Sequence, residues 1–293
     1  MILRSSFLAI VFGLGLFPTP SNPASFSSQL CPSNSHLAAL LAGSDIVLIG
    51  KMDVPKQRLA EEAQKTSPEY LDIPVEVESV VKGEDMRSAI VRFYPQDAAY
   101  KPSNDAMLGL ADKRAILFLQ RVDEGPVGLY FAGYTQNALQ LATDLTVAAT
   151  RAEASRQTRI LASWQADTKS PHFAEVRTLI ARFGHVSGDR QQRIFDRLEA
   201  LGKPAVPAII AQMDDRRSLR THSISFVNHA PDAFEGVRHY RPEKVVDGLD
   251  AVLNQITGES FVSIVNGGSN RERDATVAGW RLYAADLACK KEK

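Results

Sequence analysis

The sequence predicts an α+β chain in two parts: a small antiparallel β-barrel over residues 31–143 and an all-α helical domain over residues 146–289. Three observations carry this expectation. From residue 44 to about residue 135, apolar residues alternate in short runs separated by turn residues. From Thr146 onward they recur at helical spacing instead. Residues 1–25, ahead of both, have the build of an export signal.

That first segment has one positive charge, Arg4, followed by an apolar run from Phe7 to Phe17. The run is shorter than the ~20 residues a membrane-spanning helix needs, and it suits the hydrophobic region of a signal peptide. Pro18, Pro20 and Pro23 break any helix, and Ala24 and Ser25 offer small residues for a signal peptidase. Leu30 stands before Cys31, where a lipoprotein signal needs a small residue. The expectation is a periplasmic or secreted protein with no stable membrane anchor once residues 1–25 are removed.

Lys+Arg and Asp+Glu number 34 each, so no global field favours nucleic acid as a partner. The chain has 2 cysteines, Cys31 and Cys289, near opposite ends of the expected mature chain. Export permits a disulfide between them, and two such distant cysteines do not make a zinc site.

The strands follow in order. Asp45–Met52 is a short apolar run containing Gly50. In Leu71–Val81, Ile73, Val75, Val77 and Val81 are expected inward while Glu76 and Glu78 face water. Lys82-Gly83-Glu84 turns the chain into Ala89–Tyr94. Ala115–Val122 is almost wholly apolar and should be central, and Gly128–Ala132 follows the turn signal Glu124-Gly125-Pro126. Val54–Pro68 is a polar, helix-prone insertion.

The patterns Ser44–Lys51, Val75–Gly83 and Arg114–Leu119 together resemble the OB-fold barrel of netrin-like domains and tissue inhibitors of metalloproteinases. The resemblance covers about 90 residues and implies an OB-like barrel. Metalloproteinase inhibitors of that family chelate zinc through a cysteine at the very start of the mature chain. Cys31 is expected several residues in, so the resemblance carries the fold rather than the inhibition.

Beyond Thr146, the helix through Ala166 should turn Ile160, Leu161 and Trp164 inward and Arg151, Arg156 and Arg159 outward. His172–Phe183 reads as a second helix and Arg190–Leu201 as a third, closed by Gly202. The segment Leu201–Asp215, with its Gly-Lys-Pro-Ala-Val-Pro-Ala turn and closing Asp pair, resembles a HEAT repeat. That implies a second helix starting near Pro204 and packing on the first. One such repeat, Asp189–Asp215, is visible, against the roughly three a stable stack needs. A helix opened by Pro242 carries the stripe Val245, Val246, Leu249, Val252, Leu253 and Ile256, ended by Gly258. Ser269 and Glu272 form a capping box before the last helix. Ala251–Phe261 with Gly279–Tyr283 resembles the tail of exported bacterial proteins with HEAT-like repeats, a group that brings no activity with it. Physically, Phe261 and Trp280 should close the core between the last two helices.

The densest polar cluster is His222, His229, Asp232, Glu235 and His239. Metal or acid–base chemistry needs such groups to converge. Their irregular spacing, with Pro231 and Gly236 among them, fits a polar surface loop. His229, Asp232 and His239 are the candidate metal ligands. Asp214-Asp215 before Arg216-Arg217 reads as a charged turn, and Asn266–Ser269 as a flexible turn with a helix cap. Phe93, Tyr94, Tyr100, Tyr130, Phe131 and Tyr134 read mainly as core, with a ligand face as the sharper alternative. No H-E-x-x-H or G-x-S-x-G motif occurs, no catalytic residue stands out, and no cofactor is expected. The expectation is an exported, non-enzymatic binding or scaffold protein that meets a protein partner in the cell envelope through its surfaces. The alternative is a metal-dependent hydrolase built on the His222–His239 loop. Protease inhibition by the β-domain is a third reading.

Overall fold

Strand β1 (Ile46–Met52) is buried on both faces, and the first half of the molecule is built around it. A computed structural model describes residues 31–95, 102–122, 128–132, 137–228 and 235–291. β1 pairs antiparallel with β2 (Leu71–Lys82) on one side and β4 (Arg114–Arg121) on the other. β2 pairs antiparallel with β3 (Ser88–Phe93), β3 runs parallel to β5 (Leu129–Ala132), and β5 returns antiparallel to β4. The ring β1-β2-β3-β5-β4 thus closes on itself, and β6 (Leu139–Leu141) shares the outer edge of β4 with β5. Closure removes the open edges that would otherwise template aggregation.

The alternation in β2 is as the residues dictate: Leu71, Ile73 and Val75 fill the barrel while Asp72, Pro74 and Glu76 face out. Beyond Val77 the phase slips. Val80 packs on the barrel core, and Val81 packs on the outer layer. Irregular register against β1 between Ile49 and Gly50 accompanies the slip. A Cβ at Gly50 would stand 2.3 Å from the Glu76 carbonyl oxygen, so only glycine lets the two backbones approach this closely.

The other face of β1 and β4 is covered by helices. α1 (Ser35–Ala42) contributes Leu37, Leu40 and Leu41, and α4 (Asp144–Ala162) contributes Val147, against Val47, Ile49, Ile116 and Phe118. Short helices α2 (Lys56–Ala63) and α3 (Asn104–Leu110) fill the β1–β2 and β3–β4 connections. α4 starts from a Thr143–Thr146 capping box at the barrel and runs across to the second half, where Ile160 meets Ala42 and Leu282.

The second half holds α5 (Phe173–Ala181), α6 (Gly188–Ala200), the single-turn α7 (Val206–Ile210), a hairpin of β7 (Ile224–Val227) and β8 (Val237–Tyr240), then α8 (Val245–Thr257) and α9 (Asn270–Lys291). The expectation of an all-α HEAT-like domain is therefore overturned, and the chain is mixed α/β. Two local causes stand out. The hairpin lies within the stretch read as a polar loop. Its signal is period-two alternation, with Ile224 and Phe226 buried and Ser225 and Val227 outward. And after Gly202 (φ 64°) the chain makes a 3-10 turn, Lys203–Ala205, before a five-residue helix that is too short to be the second helix of a repeat. α6 packs instead on α8. Gly248 makes room for Phe195, whose ring would lie 2.3 Å from a Cβ there. α8 begins at Val245 rather than Pro242, and its Asp247 accepts the backbone N–H groups of Glu243 and Lys244. The Phe261 and Trp280 rings meet edge to face at 5.0 Å between the last two helices.

Candidate functional site

Among the described residues the sequence-level candidates do not come together. His239 Nδ1 lies 2.8 Å from Ser225 Oγ across the β7–β8 hairpin, on its solvent side. His222 is exposed before β7, and Glu235 offers its backbone carbonyl to Asn228. His229 and Asp232 lie outside the described residues. Among the described residues no three metal-ligating side chains converge. Asp214 takes Arg281 of α9 at 2.6 Å, Arg216 takes Asp274 of α9, and Asp215 takes Arg217 within the turn, so the charged turn is spent on ion pairs that dock it on α9. At the Asn266–Ser269 turn, Glu272 accepts from Ser269 and Asn266 accepts from the Arg241 N–H. Carboxylate already occupies that helix start. Of the aromatic candidates, Phe93 and Tyr130 are barrel core, and Tyr100 and Tyr134 lie outside the described residues.

What the tertiary structure does assemble is a seam between the barrel and the second half. The Cys31–Cys289 disulfide, with Cα atoms 5.6 Å apart, ties the start of the described chain to the end of α9. Arg156, expected outward, is buried at 4% side-chain exposure. Its Nε and Nη2 donate to both oxygens of Glu153, at 2.8 and 2.7 Å, and its Nη1 donates to Asp286 of α9 at 2.9 Å. Burial works against its charge, but Glu153 and Asp286 outweigh that and hold the guanidinium above its ordinary value. Gln157 donates to Glu153 and to the Ala38 carbonyl of α1, so three helices meet at one polar knot. Further along, Arg271 of α9 donates to Asp45 Oδ1 at 2.9 Å, and Asp45 Oδ2 accepts the Arg121 N–H.

Between these clamps lies a cleft of about 340 Å³. Lys82, the last residue of β2, is on its wall. Its ammonium donates to the Leu41 carbonyl at 2.7 Å. Burial pushes this amine down to about 8, against an upward pull from Asp45.

A second assembled feature is a ladder on the outer face of β2 and β3. Register pairs Asp72 with Arg92 and Pro74 with Ile90. One step further, the Tyr70 and Tyr94 rings meet at 5.1 Å, tilted by 57°, with Arg92 5.8 Å above the Tyr70 ring. Arg92 grips Asp72 with two hydrogen bonds of 2.7 Å, which holds the Asp72 carboxyl below its ordinary range. Tyr70 is 50% exposed and Ile90 37%, so apolar and aromatic surface faces solvent beside a fixed cation.

A third polar cluster supports the helical core. Asp250, 1% exposed, accepts from Trp280 Nε1 at 2.7 Å and from the Ile264 N–H. Burial pushes its carboxyl up to about 6. The folded protein therefore binds this proton more tightly than an unfolded chain, whose aspartate titrates near ~3.9. The resulting stability is full below about pH 4 and is lost as pH rises through about 6, by up to ~3 kcal/mol. Asp250→Asn keeps an acceptor for Trp280 and removes that slope. Urea unfolding of both proteins at acidic and neutral pH checks this: the difference between them must change with pH, and a constant difference refutes it.

No known protein family, curated protein or solved structure matches the chain.

Proposed function

We propose that this is an exported, non-enzymatic binding protein that presents the outer β2–β3 ladder to a protein partner in the cell envelope. The observation that carries the reading is the Tyr70–Tyr94–Arg92–Ile90 surface. Tyrosine and arginine, held rigid and beside exposed aliphatic surface, are the residue types on which interface energy concentrates. The ring of five strands gives the ladder a stiff backing, and the disulfide and the Arg156 knot tie that barrel to the helices, so little ordering entropy opposes binding. The disulfide also suits an oxidising compartment, in keeping with the export signal expected in residues 1–25. The closed five-strand ring with a helix between β3 and β4 supports the OB-like reading of the barrel, and the netrin-like reading rests on the sequence patterns alone.

The test is site-specific photocrosslinking in the producing cell, with the crosslinker at position 70 and, as a control, at exposed Arg193 on α6. A discrete protein adduct is expected from position 70 only, reduced about tenfold or more by Arg92→Glu. Arg92 and Asp72 are both substantially exposed, so breaking their pair should cost little stability. Equal adducts from both positions, or an adduct indifferent to Arg92→Glu, refute the reading.

A further inference from the structure

The cleft at the seam supports a separate inference, independent of the barrel's outer ladder. Its wall carries Leu161 of α4, Ala275, Ala278 and Leu282 of α9 and Val81 at the end of β2, with Ser44, Asp45, Gln157 and Thr158 as its polar part. Beside the aliphatic part of this wall the chain places one amine, Lys82. Lys82 can donate three hydrogen bonds and gives one to the Leu41 carbonyl. Among the described residues it makes no ion pair. Asp45 is the carboxylate whose charge acts on it, and both Asp45 oxygens are already engaged, by Arg271 and by the Arg121 N–H. An ammonium partly drawn out of water with no direct ion pair is costly. The chemical complement of that wall is an anion with an apolar tail.

Size narrows the class. The cleft, at about 340 Å³, is roughly twice the ~150 Å³ of a cavity that holds benzene. It also falls at the lower end of ordinary small-molecule sites, ~300–1,000 Å³. Small residues at Ala275 and Ala278 keep the α9 wall open for a narrow chain. We infer that the seam cleft binds a medium-chain aliphatic monocarboxylate, its carboxylate accepting from Lys82 Nζ and its chain lying along the Ala275–Ala278 face of α9. The ligand would contact the barrel and both flanking helices at once, so binding should also tighten the seam.

Octanoate is the probe, with octanol as its uncharged counterpart, titrated calorimetrically into the full mature protein with its disulfide intact. Saturable octanoate binding in the micromolar-to-millimolar range is expected. Lys82→Met should weaken it about tenfold or more while leaving octanol unaffected. Ala278→Leu, which fills the cleft and keeps Lys82, should weaken both ligands. Thermal unfolding should show octanoate raising the melting temperature of the wild type but not of Ala278→Leu, which keeps the test valid if Lys82→Met does not fold. Absence of saturable octanoate binding up to about 10 mM overturns the inference. So does binding that survives both substitutions.

Discussion

Cys289→Ser lowers the unfolding free energy by up to about 5 kcal/mol, the largest single effect expected in this protein. The bond joins residues 258 positions apart. Chain-entropy arguments give long closed loops the largest stabilisation, because the cross-link removes the most freedom from the unfolded chain. Cys31→Ser should cost the same, and the double variant no more than either alone, since all three remove one bond. Urea midpoints of the oxidised protein, the reduced protein and the three variants check this. A reduced wild type as stable as the oxidised form would sink it. Beyond total stability, the bond holds the end of α9 against the start of the described chain. Loss of the disulfide should therefore loosen the seam before the barrel, visible as faster amide exchange in α1 and the last turns of α9 than in β1 and β4.

Arg156→Ala is the second large effect, with an expected cost of about 3–5 kcal/mol. The side chain is buried and serves Glu153 and Asp286 together, and Glu153 is itself only 4% exposed. Truncating the cation leaves Glu153 as a buried negative charge with Gln157 as its remaining partner. The penalty comes mainly from that orphaned carboxylate rather than from the strength of the pair. A double variant separates the two causes. Arg156→Met with Glu153→Leu replaces both charges with apolar groups of similar size and should recover most of the loss. If the double variant is as unstable as Arg156→Ala, the knot's value lies in the geometry linking α4 to α1 and α9, and the orphaned-charge account fails.

The two clamps act on the same boundary, and they differ from the exposed pairs elsewhere. Lys56 with Asp112, or Arg197 with Glu175, join partners that remain well solvated. Such pairs contribute roughly 0–1 kcal/mol each. At the Arg156 knot of the seam, as at the Arg273–Asp247 pair between α8 and α9, charge has been taken out of water, and so these are places where substitution should matter most.

Much of the local structure was legible from residue patterns. The alternation of Leu71, Ile73 and Val75 belongs to β2, the apolar run Ala115–Leu119 is the buried centre of β4, and Gly258 (φ 75°) ends α8. The Ser269–Glu272 box opens α9 as its spacing requires. These features depend on neighbours within a few positions, and the period and the capping chemistry are properties of the chain itself. The β7–β8 hairpin was written in the same code, in Ile224 and Phe226 alternating with Ser225 and Val227. Its shortness, and the polar residues around it, hid the signal.

The site-level features were a different matter. Arg156 sits on a helix face whose sequence reads as solvent-facing, and its burial is tolerable because Glu153 on the same helix takes two of its donors and Asp286, 130 positions later, takes a third. Lys82 reads as a turn residue, and it becomes a half-buried amine because α4 and α9 close over the end of β2. The Tyr70–Arg92 ladder needs the β2–β3 register before its residues are neighbours. The residue pattern by itself determined the five strands β1 to β5 and the longer helices α4, α5, α6, α8 and α9, while α1, α3, β6 and the β7–β8 hairpin escaped it. Ring closure through β1 and β4, the parallel β3–β5 pair, the clamped seam and its cleft were decided by tertiary structure alone. Each depends on contacts between residues far apart in the chain, where desolvation and charge pairing act only after the elements have met.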